Sequence, residues 1–326
     1  MTRTSEAAPV ERLIELYKTM MLIRAVESTL ARVFADGEVP GFIHLSIGQE
    51  AVAAGIASVM LPDDTLATTH RGHGHVLAKG LDLGGFFKEI MGRAGGVCQG
   101  RGGSMHVADM RLGIIGANGI VGAGIPIAMG SALAFKTRAT RDVAVAMFGD
   151  GAMAEGVLHE SLNFAKLLQL PLLLVCENNG WSEFSPTSKQ FGAALSDLAR
   201  AFGVPHRIVN GNDAVLVAAA AQAAIDQVRG GGGPCVLECT THRARGHFEG
   251  DTQQYRDPAE LSSSIEKDPL QSMAAALRAM SVDDASLRQL QADADHAVAS
   301  ALQQAREDAQ PDYDAAYQDV YTRKEA

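Results

Sequence analysis

The 326-residue chain is predicted to fold as an α/β protein with a doubly wound, mostly parallel sheet and helices on both faces. Two observations support this fold class. Short apolar runs at 143–148 and 172–176 have the length and composition of buried strands. A segment with helical spacing of its apolar residues, 157–168, separates them, and such alternation is typical of a parallel sheet.

The elements in the first third of the chain are predicted from local signals. Apolar positions at helical spacing indicate a helix over 11–36, which Gly37 ends because glycine readily adopts the left-handed terminal conformation. A second helix is expected over 49–60. Glycine and histidine dominate 70–75, and glycine is frequent over 92–124; we interpret both as loops that approach a ligand or a second chain closely.

The pattern becomes regular in the middle of the chain and changes again after residue 258. The expected order is helix 125–138, strand 143–148, helix 157–168, strand 172–176, helix 194–202, strand 206–209, helix 212–228, a turn at 230–233 and strand 234–240. We therefore predict a single domain over 1–326, with a helical N-terminal segment at about 10–60 and a helical C-terminal extension at about 259–326.

Composition excludes some classes of partner. The formal net charge of −10 argues against a nucleic-acid partner, which would favour a basic face. The first ten residues contain no apolar core of a signal peptide, and no apolar run has the length of a membrane span. The four cysteines form no CxxC pair. A reduced, cytoplasmic setting without membrane contact is the expectation from these features.

The most specific pattern joins Gly149-Asp150-Gly151 to the pair Asn178-Asn179, with 26 residues between them. Each element follows a predicted strand, so both lie at the carboxyl edge of the sheet, where ligands bind in open α/β folds. Carboxylate and amide oxygens suit Mg²⁺, which prefers few protein ligands together with substrate phosphates. The alternative is an ordinary β-α-β unit with turn residues at its corners.

Other polar segments are candidates for the same site. In the cluster 68–75, Arg71 offers a planar cation for anion binding. A zinc site built on His73 and His75 is the alternative, but it lacks further ligands at suitable spacing. The basic loop 241–251 follows a predicted strand and is either a site element or a surface loop. His44 is either a substrate-facing or a structural histidine.

The glycine-rich segment 116–124 enters a predicted helix and could be mistaken for a dinucleotide-binding fingerprint. Ile127 stands where the third glycine of that fingerprint belongs, and no strand clearly precedes the segment. We expect a glycine-rich helix entry here, with no dinucleotide site.

The Gly149–Asn179 spacing resembles the thiamine diphosphate motif. By that resemblance, Asp150, Asn179 and the main-chain carbonyl of Trp181 hold Mg²⁺ against the cofactor diphosphate. The family usually has tyrosine where this sequence has Trp181. A main-chain ligand tolerates this departure, because the carbonyl is present whatever the side chain. The resemblance also places Gly151 and Ala152, which follow the aspartate, at the cofactor.

Further stretches extend the resemblance from about residue 10 to about residue 260. The segments 102–106, 118–122, 149–152 and 177–180 are similar to the alpha chain of the thiamine-dependent first component of 2-oxo acid dehydrogenase complexes. The loops 40–48, 70–75 and 246–251 look closest to acetoin dehydrogenase alpha chains. Pyruvate dehydrogenase alpha chains are the alternative.

The resemblance implies roles for individual residues. Gly119 contributes a backbone contact to the thiamine pyrimidine, and Val121 is the apolar wedge that bends the cofactor. The family has an aromatic–arginine pair where this sequence has His70-Arg71, so Arg71 is expected to contact the diphosphate, and His70, which departs from the family pattern, can still hydrogen-bond to phosphate. His247 touches the diphosphate near the reacting carbon, where it handles protons or phosphate.

His44 and His73 complete the candidate catalytic set, which His247 leads. Phe248 stands where several mitochondrial members carry a regulatory phosphorylated serine, so regulation by phosphate at that position is not expected.

The activity that the resemblance implies is cleavage of a carbon–carbon bond beside a carbonyl, with transfer of the two-carbon unit to a lipoyl group. Acetoin is the expected substrate, and a 2-oxo acid such as pyruvate is the alternative. We find no segment for the glutamate that activates the cofactor, which the beta chain supplies in heterotetrameric members. The expected partners are therefore a beta subunit in an α₂β₂ assembly and a lipoyl-bearing acyltransferase.

Three rival functions are weighed against this one. A nicotinamide-dependent dehydrogenase would need the complete fingerprint that is missing here. A catalytically inert scaffold subunit would not need Asp150, Asn179, Arg71 and His247 intact. A thiamine-dependent decarboxylase or synthase usually carries two cofactor-binding domains on one much longer chain.

Overall fold

The computed structural model describes residues 9–312 together with 314 and 317. Most of the first ten residues, on which the signal-peptide prediction rests, lie outside the described residues. The last part of the predicted C-terminal extension also lies largely outside them. Within the part of the chain that is described, none of the helices combines the length and apolar character needed to cross a bilayer.

Six parallel strands form the central sheet, in the order β2-β1-β3-β4-β8-β7, and β5 pairs with β6 in a small antiparallel ribbon. The strands are β1 (Thr65–Ala67), β2 (Ile114–Gly116), β3 (Ala144–Gly149), β4 (Leu172–Asn178), β5 (Trp181–Ser182), β6 (Ser185–Pro186), β7 (His206–Asn210) and β8 (Cys235–Thr240).

Eleven α-helices are described around this sheet. They are α1 (Pro9–Ala35), α2 (Glu50–Ala57), α3 (His73–Ala78), α4 (Leu83–Ile90), α5 (Gly124–Thr137), α6 (Gly156–Leu167), α7 (Leu195–Ala201), α8 (Ala214–Gln227), α9 (Pro258–Glu266), α10 (Pro269–Ala279) and α11 (Asp284–Glu307). Gly37 follows α1 with φ of 77°, the left-handed conformation expected of a glycine that ends a helix.

Alternate residues of the central strands bury their side chains on opposite faces of the sheet. On β3, Ala146 and Phe148 pack with α5, α6 and α7 in one apolar cluster. Val145 and Met147 pack with α2 and α8 in another. Because both faces are covered, these strands are apolar throughout, as parallel strands usually are. The predicted doubly wound α/β fold is confirmed.

The terminal helices form a third apolar cluster beside the sheet. Buried side chains of α1, α4, α10 and α11 contact one another there, Leu16, Phe87, Leu277 and Val298 among them. The predicted N-terminal helix, and the helical character of the C-terminal extension as far as it is described, are therefore confirmed. Treating the chain as one domain stays a prediction.

Four elements in the first third of the chain were missed. The expectation that no strand precedes the glycine-rich helix entry is wrong, because β2 lies at the edge of the sheet and ends at Gly116. The stretch expected as a loop over 70–75 contains the start of α3 at His73. The strands β1 and β2 have three residues each, which is too short for periodicity to reveal them. The helix α4 was not predicted either.

The strand order locates a ligand-binding crevice. From β1 the sheet extends to β2 on one side and to β3 and β4 on the other, so the order reverses between β1 and β3. Ligands bind in open α/β sheets at the carboxyl ends of the strands that flank such a reversal. The segments that leave these two strands are 68–71 and 149–152, both of which contain predicted site residues.

Candidate active site

A cavity of about 160 Å³ lies at this carboxyl edge. Segments that follow β1, β2, β3, β4 and β8 all contribute to its wall, so the separate sequence motifs meet in one place. The lining consists of Thr68, Thr69, His70, Arg71, Asn118, Ile120, Val121, Gly122, Gly124, Met147, Phe148, Gly149, Asp150, Gly151, Ala152, Asn179, Trp181, Ser182, Glu183, Arg243 and His247.

Asp150 places a buried carboxylate on the cavity wall. It begins the short turn after β3 and is 2% exposed. Thr187 Oγ1 donates a hydrogen bond to it. Burial raises the pKa of Asp150 above its ordinary value, and the hydrogen bond from Thr187 offsets part of that rise. A carboxylate that is costly to ionise in isolation is well suited to a bound cation, which stabilises its charged form.

Asn179 and Trp181 bring further oxygen atoms to the same wall. The Asn179 side-chain amide donates to Gln49 Oε1 at 2.9 Å, and its Oδ1 accepts the backbone N–H of Trp181 at 3.1 Å. The indole Nε1 of Trp181 donates to Glu260 Oε1 at 2.7 Å. The Trp181 side chain is thus engaged elsewhere, which is compatible with a role for its main-chain carbonyl. Carboxylate, amide and carbonyl oxygens form a donor set that suits Mg²⁺.

Gly151 packs closely against Ser182, so a side chain at this position would displace the serine. A Cβ atom built on it would lie 2.8 Å from Ser182 Oγ, closer than real Cβ atoms approach. Gly119 differs, because a Cβ there would meet only Met105 Sδ, at an ordinary 3.7 Å. The backbone contact predicted for Gly119 therefore stays a prediction. Val121 lines the cavity and is half-exposed, which fits an apolar wedge.

Two buried arginines face the cavity. Arg71 is 5% exposed, and its Nη1 and Nη2 donate to the main-chain oxygens of Leu45 and His247, both at 2.8 Å. Burial, followed by repulsion from Arg243, lowers the pKa of Arg71 to about 9. Two cations held together out of water favour an anionic ligand between them.

Arg243 is a site residue that the sequence did not single out. It is 1% exposed, and its Nη2 donates to Tyr255 Oη at 2.9 Å and to the main-chain oxygen of Glu183 at 3.2 Å. Among the residues that the structure describes, none gives its Nε a hydrogen-bond partner. An unsatisfied buried donor costs about 1–3 kcal/mol, so a ligand oxygen is the natural partner. The basic loop 241–251 was the available signal, but its pattern does not tell which arginine turns inward.

Three histidines form a cluster beside the cavity: His70 and His247 line it, and His44, which is not among the lining residues, packs against both. The ring centroids of His44 and His70 are 4.6 Å apart, those of His44 and His247 are 5.0 Å apart, and those of His70 and His247 are 5.3 Å apart. Burial, followed by the charge of Arg71, lowers the pKa of His44 to about 3 and that of His247 to about 4. The same two causes lower the pKa of His70. All three imidazoles are therefore neutral near pH 7.

His73 lies outside the cavity lining. Its Nδ1 is 3.0 Å from Glu27 Oε2 and its Nε2 is 2.7 Å from Ser104 Oγ. Both ring nitrogens of His73 contact protein atoms. His73 is therefore placed to hold the segment around Ser104 in position rather than to touch a substrate. His75 contacts Glu177 instead, so the geometry does not support a zinc site shared by His73 and His75.

The carboxylate of Glu89 holds the segment 98–103 in place through hydrogen bonds. Glu89 is fully buried on α4, and each of its oxygens accepts two backbone N–H groups. The donors are Cys98 and Gly100 at 2.7 and 2.9 Å, and Gly102 and Gly103 at 2.7 and 3.0 Å. Hydrogen bonds to an ionised acceptor are among the strongest in proteins. Glu89 therefore fixes the segment that leads into Ser104 and Met105.

Replacing Glu89 by glutamine is expected to loosen this segment. The amide nitrogen of glutamine cannot accept, so two of the four N–H groups lose their partner, at about 1–3 kcal/mol each. Trypsin cleavage after Arg93 or Arg101 should become at least about 10-fold faster, because a loss of about 2 kcal/mol or more exceeds the 1.4 kcal/mol that changes an opening equilibrium tenfold. The rate is read by mass spectrometry of the limited digest.

Glu15→Gln is the matched control. Glu15 is exposed on α1, and among the described residues its side chain pairs only with Lys18. Equal cleavage rates for Glu89→Gln and the unaltered chain would show that other contacts hold the segment.

Comparisons with known proteins agree with one another. The family described as "Dehydrogenase E1 component" matches residues 18–314. The chain is 46% identical over 263 residues, 80% of its length and 79% of the relative, to the alpha subunit of acetoin:2,6-dichlorophenolindophenol oxidoreductase from Bacillus subtilis (strain 168). The subunit of the same name from Cupriavidus necator is 46% identical over 265 residues, 80% of this chain and 79% of the relative. The pyruvate dehydrogenase E1 component subunit alpha from Zymomonas mobilis is 40% identical over 286 residues, 87% of this chain and 81% of the relative.

Proposed function

The chain belongs to the dehydrogenase E1 component family, and from this premise we propose that it is the alpha subunit of a thiamine diphosphate-dependent acetoin dehydrogenase. The observation that carries the proposal is the meeting of Asp150, Asn179, Arg71 and Arg243 on one cavity. Relatives named for acetoin are 46% identical, and one named for pyruvate dehydrogenase is 40% identical. A pyruvate dehydrogenase alpha subunit is the second candidate.

The residues present fit the cofactor and a metal ion. Asp150, Asn179 and the carbonyl of Trp181 would hold Mg²⁺, and Arg71 and Arg243 would bind the diphosphate that the metal neutralises in part. The Nε of Arg243, which finds no partner in the part of the chain that the structure describes, supports this assignment. When bound, thiamine diphosphate supplies the carbon nucleophile and the electron sink for carbon–carbon cleavage.

The protein's own residues shape the cavity wall and exchange protons. Val121 presents an apolar surface to the cavity. His247 lines the cavity, and Asp251 Oδ2 accepts its backbone N–H at 2.7 Å, which fixes the loop that carries it. We propose that His247, with the imidazole of His44 packed against it, takes part in proton handling at the site. His70 lines the same wall, and its ring packs against those of His44 and His247.

A beta subunit is the proposed partner, because the relatives are named as alpha subunits. Large exposed apolar side chains lie in the cavity lining or beside it, which supports a protein interface there. Ile120 is 73% exposed, and Phe42, Val121 and Phe184 are also exposed. We propose an α₂β₂ assembly that passes its two-carbon unit to a lipoyl-bearing acyltransferase. A cytoplasmic location is proposed from the four free cysteines, three of them buried.

A substrate comparison tests the function. The chain, combined with its beta subunit, Mg²⁺ and thiamine diphosphate, is expected to reduce an artificial electron acceptor with acetoin as donor. We expect kcat/KM for acetoin to exceed that for pyruvate by at least about 10-fold, a difference worth 1.4 kcal/mol in transition-state binding. Branched 2-oxo acids complete the panel. A preference for pyruvate would support the second candidate instead.

A further inference from the structure

The imidazoles of His44, His70 and His247 converge on one point. One ring nitrogen from each lies within 4.8 Å of the other two. An atom placed among three points so spaced can lie within about 2.8 Å of all three, which is the length of a hydrogen bond to oxygen. The cluster therefore has the dimensions to surround a single oxygen atom.

Two ring nitrogens of the cluster lack a hydrogen-bond partner in the described part of the chain. His44 Nδ1 and His70 Nε2 are both buried and make no hydrogen bond among the residues that the structure describes. Buried polar atoms are hydrogen-bonded in the great majority of cases, so each exception needs an explanation. A ligand oxygen at the point of convergence would satisfy both nitrogens at once.

The charges around the cluster favour oxygen over a metal ion. Three neutral imidazoles are also a zinc ligand set. Arg71 Nη2, however, donates to the main-chain oxygen of His247 at 2.8 Å, and Arg243 Nη1 lies 3.4 Å from its Nδ1. These two guanidinium groups repel a divalent cation and attract an electron-rich oxygen.

We propose that His44, His70 and His247 form a subsite for the hydroxyl oxygen of an α-hydroxyketone, and that Nε2 of His70 accepts the hydroxyl proton. The inference rests on the proposed function and gives a chemical reason for its substrate class. A 2-oxo acid carries a carboxylate where an α-hydroxyketone carries a carbinol carbon, and it loses carbon dioxide without giving up a hydroxyl proton.

The proton transfer balances the cleavage step. In acetoin, the bond between the carbonyl carbon and the carbinol carbon breaks, and its electron pair stays with the carbonyl-side two-carbon fragment. The electron pair of the O–H bond becomes the second carbon–oxygen bond of acetaldehyde. The proton passes to Nε2 of His70, and no external oxidant or reductant enters this step.

The buried arginines assist in two ways. Their positive charge stabilises the negative charge that develops on the hydroxyl oxygen as its proton leaves. Burial, and after it this charge, lowers the pKa of the imidazoles and keeps them unprotonated, so that Nε2 of His70 is free to accept. A diphosphate bound to Arg71 and Arg243 would offset the repulsion that opposes a proton on His70, and so makes the transfer easier in the loaded enzyme.

Two substitutions at His70 separate proton transfer from recognition. Glutamine keeps a hydrogen-bonding group but cannot accept a proton, whereas phenylalanine removes both functions. In the reconstituted complex, His70→Gln is expected to lower kcat for acetoin about 100-fold, the lower end of general-base effects. His70→Phe should in addition weaken acetoin binding about 10-fold, for a lost hydrogen bond.

Binding is measured by calorimetry with an unreactive thiamine diphosphate analogue in place, so that this readout does not depend on turnover. His159→Gln is the control, because His159 is on α6 and contacts only the main-chain oxygen of Glu155 among the hydrogen bonds described for its side chain. Cofactor affinity should change less than about 3-fold in both His70 variants, since the phosphate contacts remain.

Three outcomes would overturn the inference. Unchanged acetoin turnover in His70→Phe would show that the hydroxyl does not depend on His70. Loss of cofactor affinity by more than about 10-fold, with acetoin and pyruvate turnover reduced equally, would identify His70 as a phosphate ligand. Stoichiometric zinc retained by the unaltered complex and lost in His70→Phe would identify a metal site. Failure of the unaltered complex to use acetoin would instead contradict the proposed function.

Discussion

Replacing Asp150 by alanine is expected to abolish Mg²⁺-dependent binding of thiamine diphosphate while leaving the chain folded. Asp150 is the one ionisable side chain in the proposed metal ligand set, and its removal leaves the amide oxygen of Asn179 and a backbone carbonyl. Hard divalent cations bind poorly without a carboxylate. We expect the cofactor dissociation constant to rise more than about 100-fold, or more than 2.7 kcal/mol. Calorimetry of the assembled complex at saturating Mg²⁺ measures it.

The fold should survive, because the hydrogen bond from Thr187 offsets only part of the cost of burying the Asp150 carboxylate. Burial raises the pKa of Asp150 in the folded chain. A group whose pKa is higher in the folded than in the unfolded chain contributes most to the free energy of unfolding below its unfolded pKa. That contribution is lost as the pH rises through the folded pKa. At pH 7 the alanine variant without cofactor should therefore melt no lower than the unaltered chain.

Asp197→Ala is the matched control, since Asp197 is exposed on α7 and pairs with Arg200. Its cofactor affinity should stay within about 2-fold of the unaltered chain, because an exposed pair contributes little. Retained affinity in Asp150→Ala would mean that the metal site lies elsewhere.

Local sequence patterns were sufficient to predict those site residues that directly follow long buried strands. The strands β3 and β4 have apolar side chains on both faces, so their ends, and with them Asp150 and Asn179, could be placed from sequence. The helices α5, α6 and α8 were placed to within a few residues, because each packs an apolar stripe against the sheet.

Residues whose roles depend on distant contacts could not be found in this way. Glu89 has the appearance of a surface position, and only the fold brings four backbone N–H groups to it. Arg243 is one of several basic residues in its loop, and burial alone distinguishes it. His44, His70 and His247 converge from three separate segments, a contact that no local spacing encodes.

The isolated chain is expected to show no turnover of acetoin, even with Mg²⁺ and thiamine diphosphate, and to gain activity when its beta subunit is added. Among the described residues that line the cavity, Asp150 and Glu183 are the carboxylates. Asp150 is assigned to the metal, and Glu183 is exposed. A carboxylate that activates the cofactor works best when it is buried in a dry site, so we expect it to come from the partner.

The expected difference is at least about 100-fold in rate, since a general acid or base commonly contributes that much. Steady-state assays of the chain with and without its partner measure it, and sedimentation reports the assembly. Ile120→Asp should prevent assembly, because it places a charge on the exposed apolar rim. Leu61→Asp is the control, since Leu61 precedes β1 and lies toward the opposite edge of the sheet.

Full activity of the chain without a partner would contradict the proposed assembly, and Glu183→Gln would then decide where the activating carboxylate lies. Loss of that activity in Glu183→Gln would assign the role to this chain. The expected outcome has a simple structural basis: an apolar rim around a polar cavity remains exposed in the single chain, and a second chain that covers the rim also excludes water from the cavity. Assembly and catalysis should therefore fail together in Ile120→Asp and survive together in Leu61→Asp.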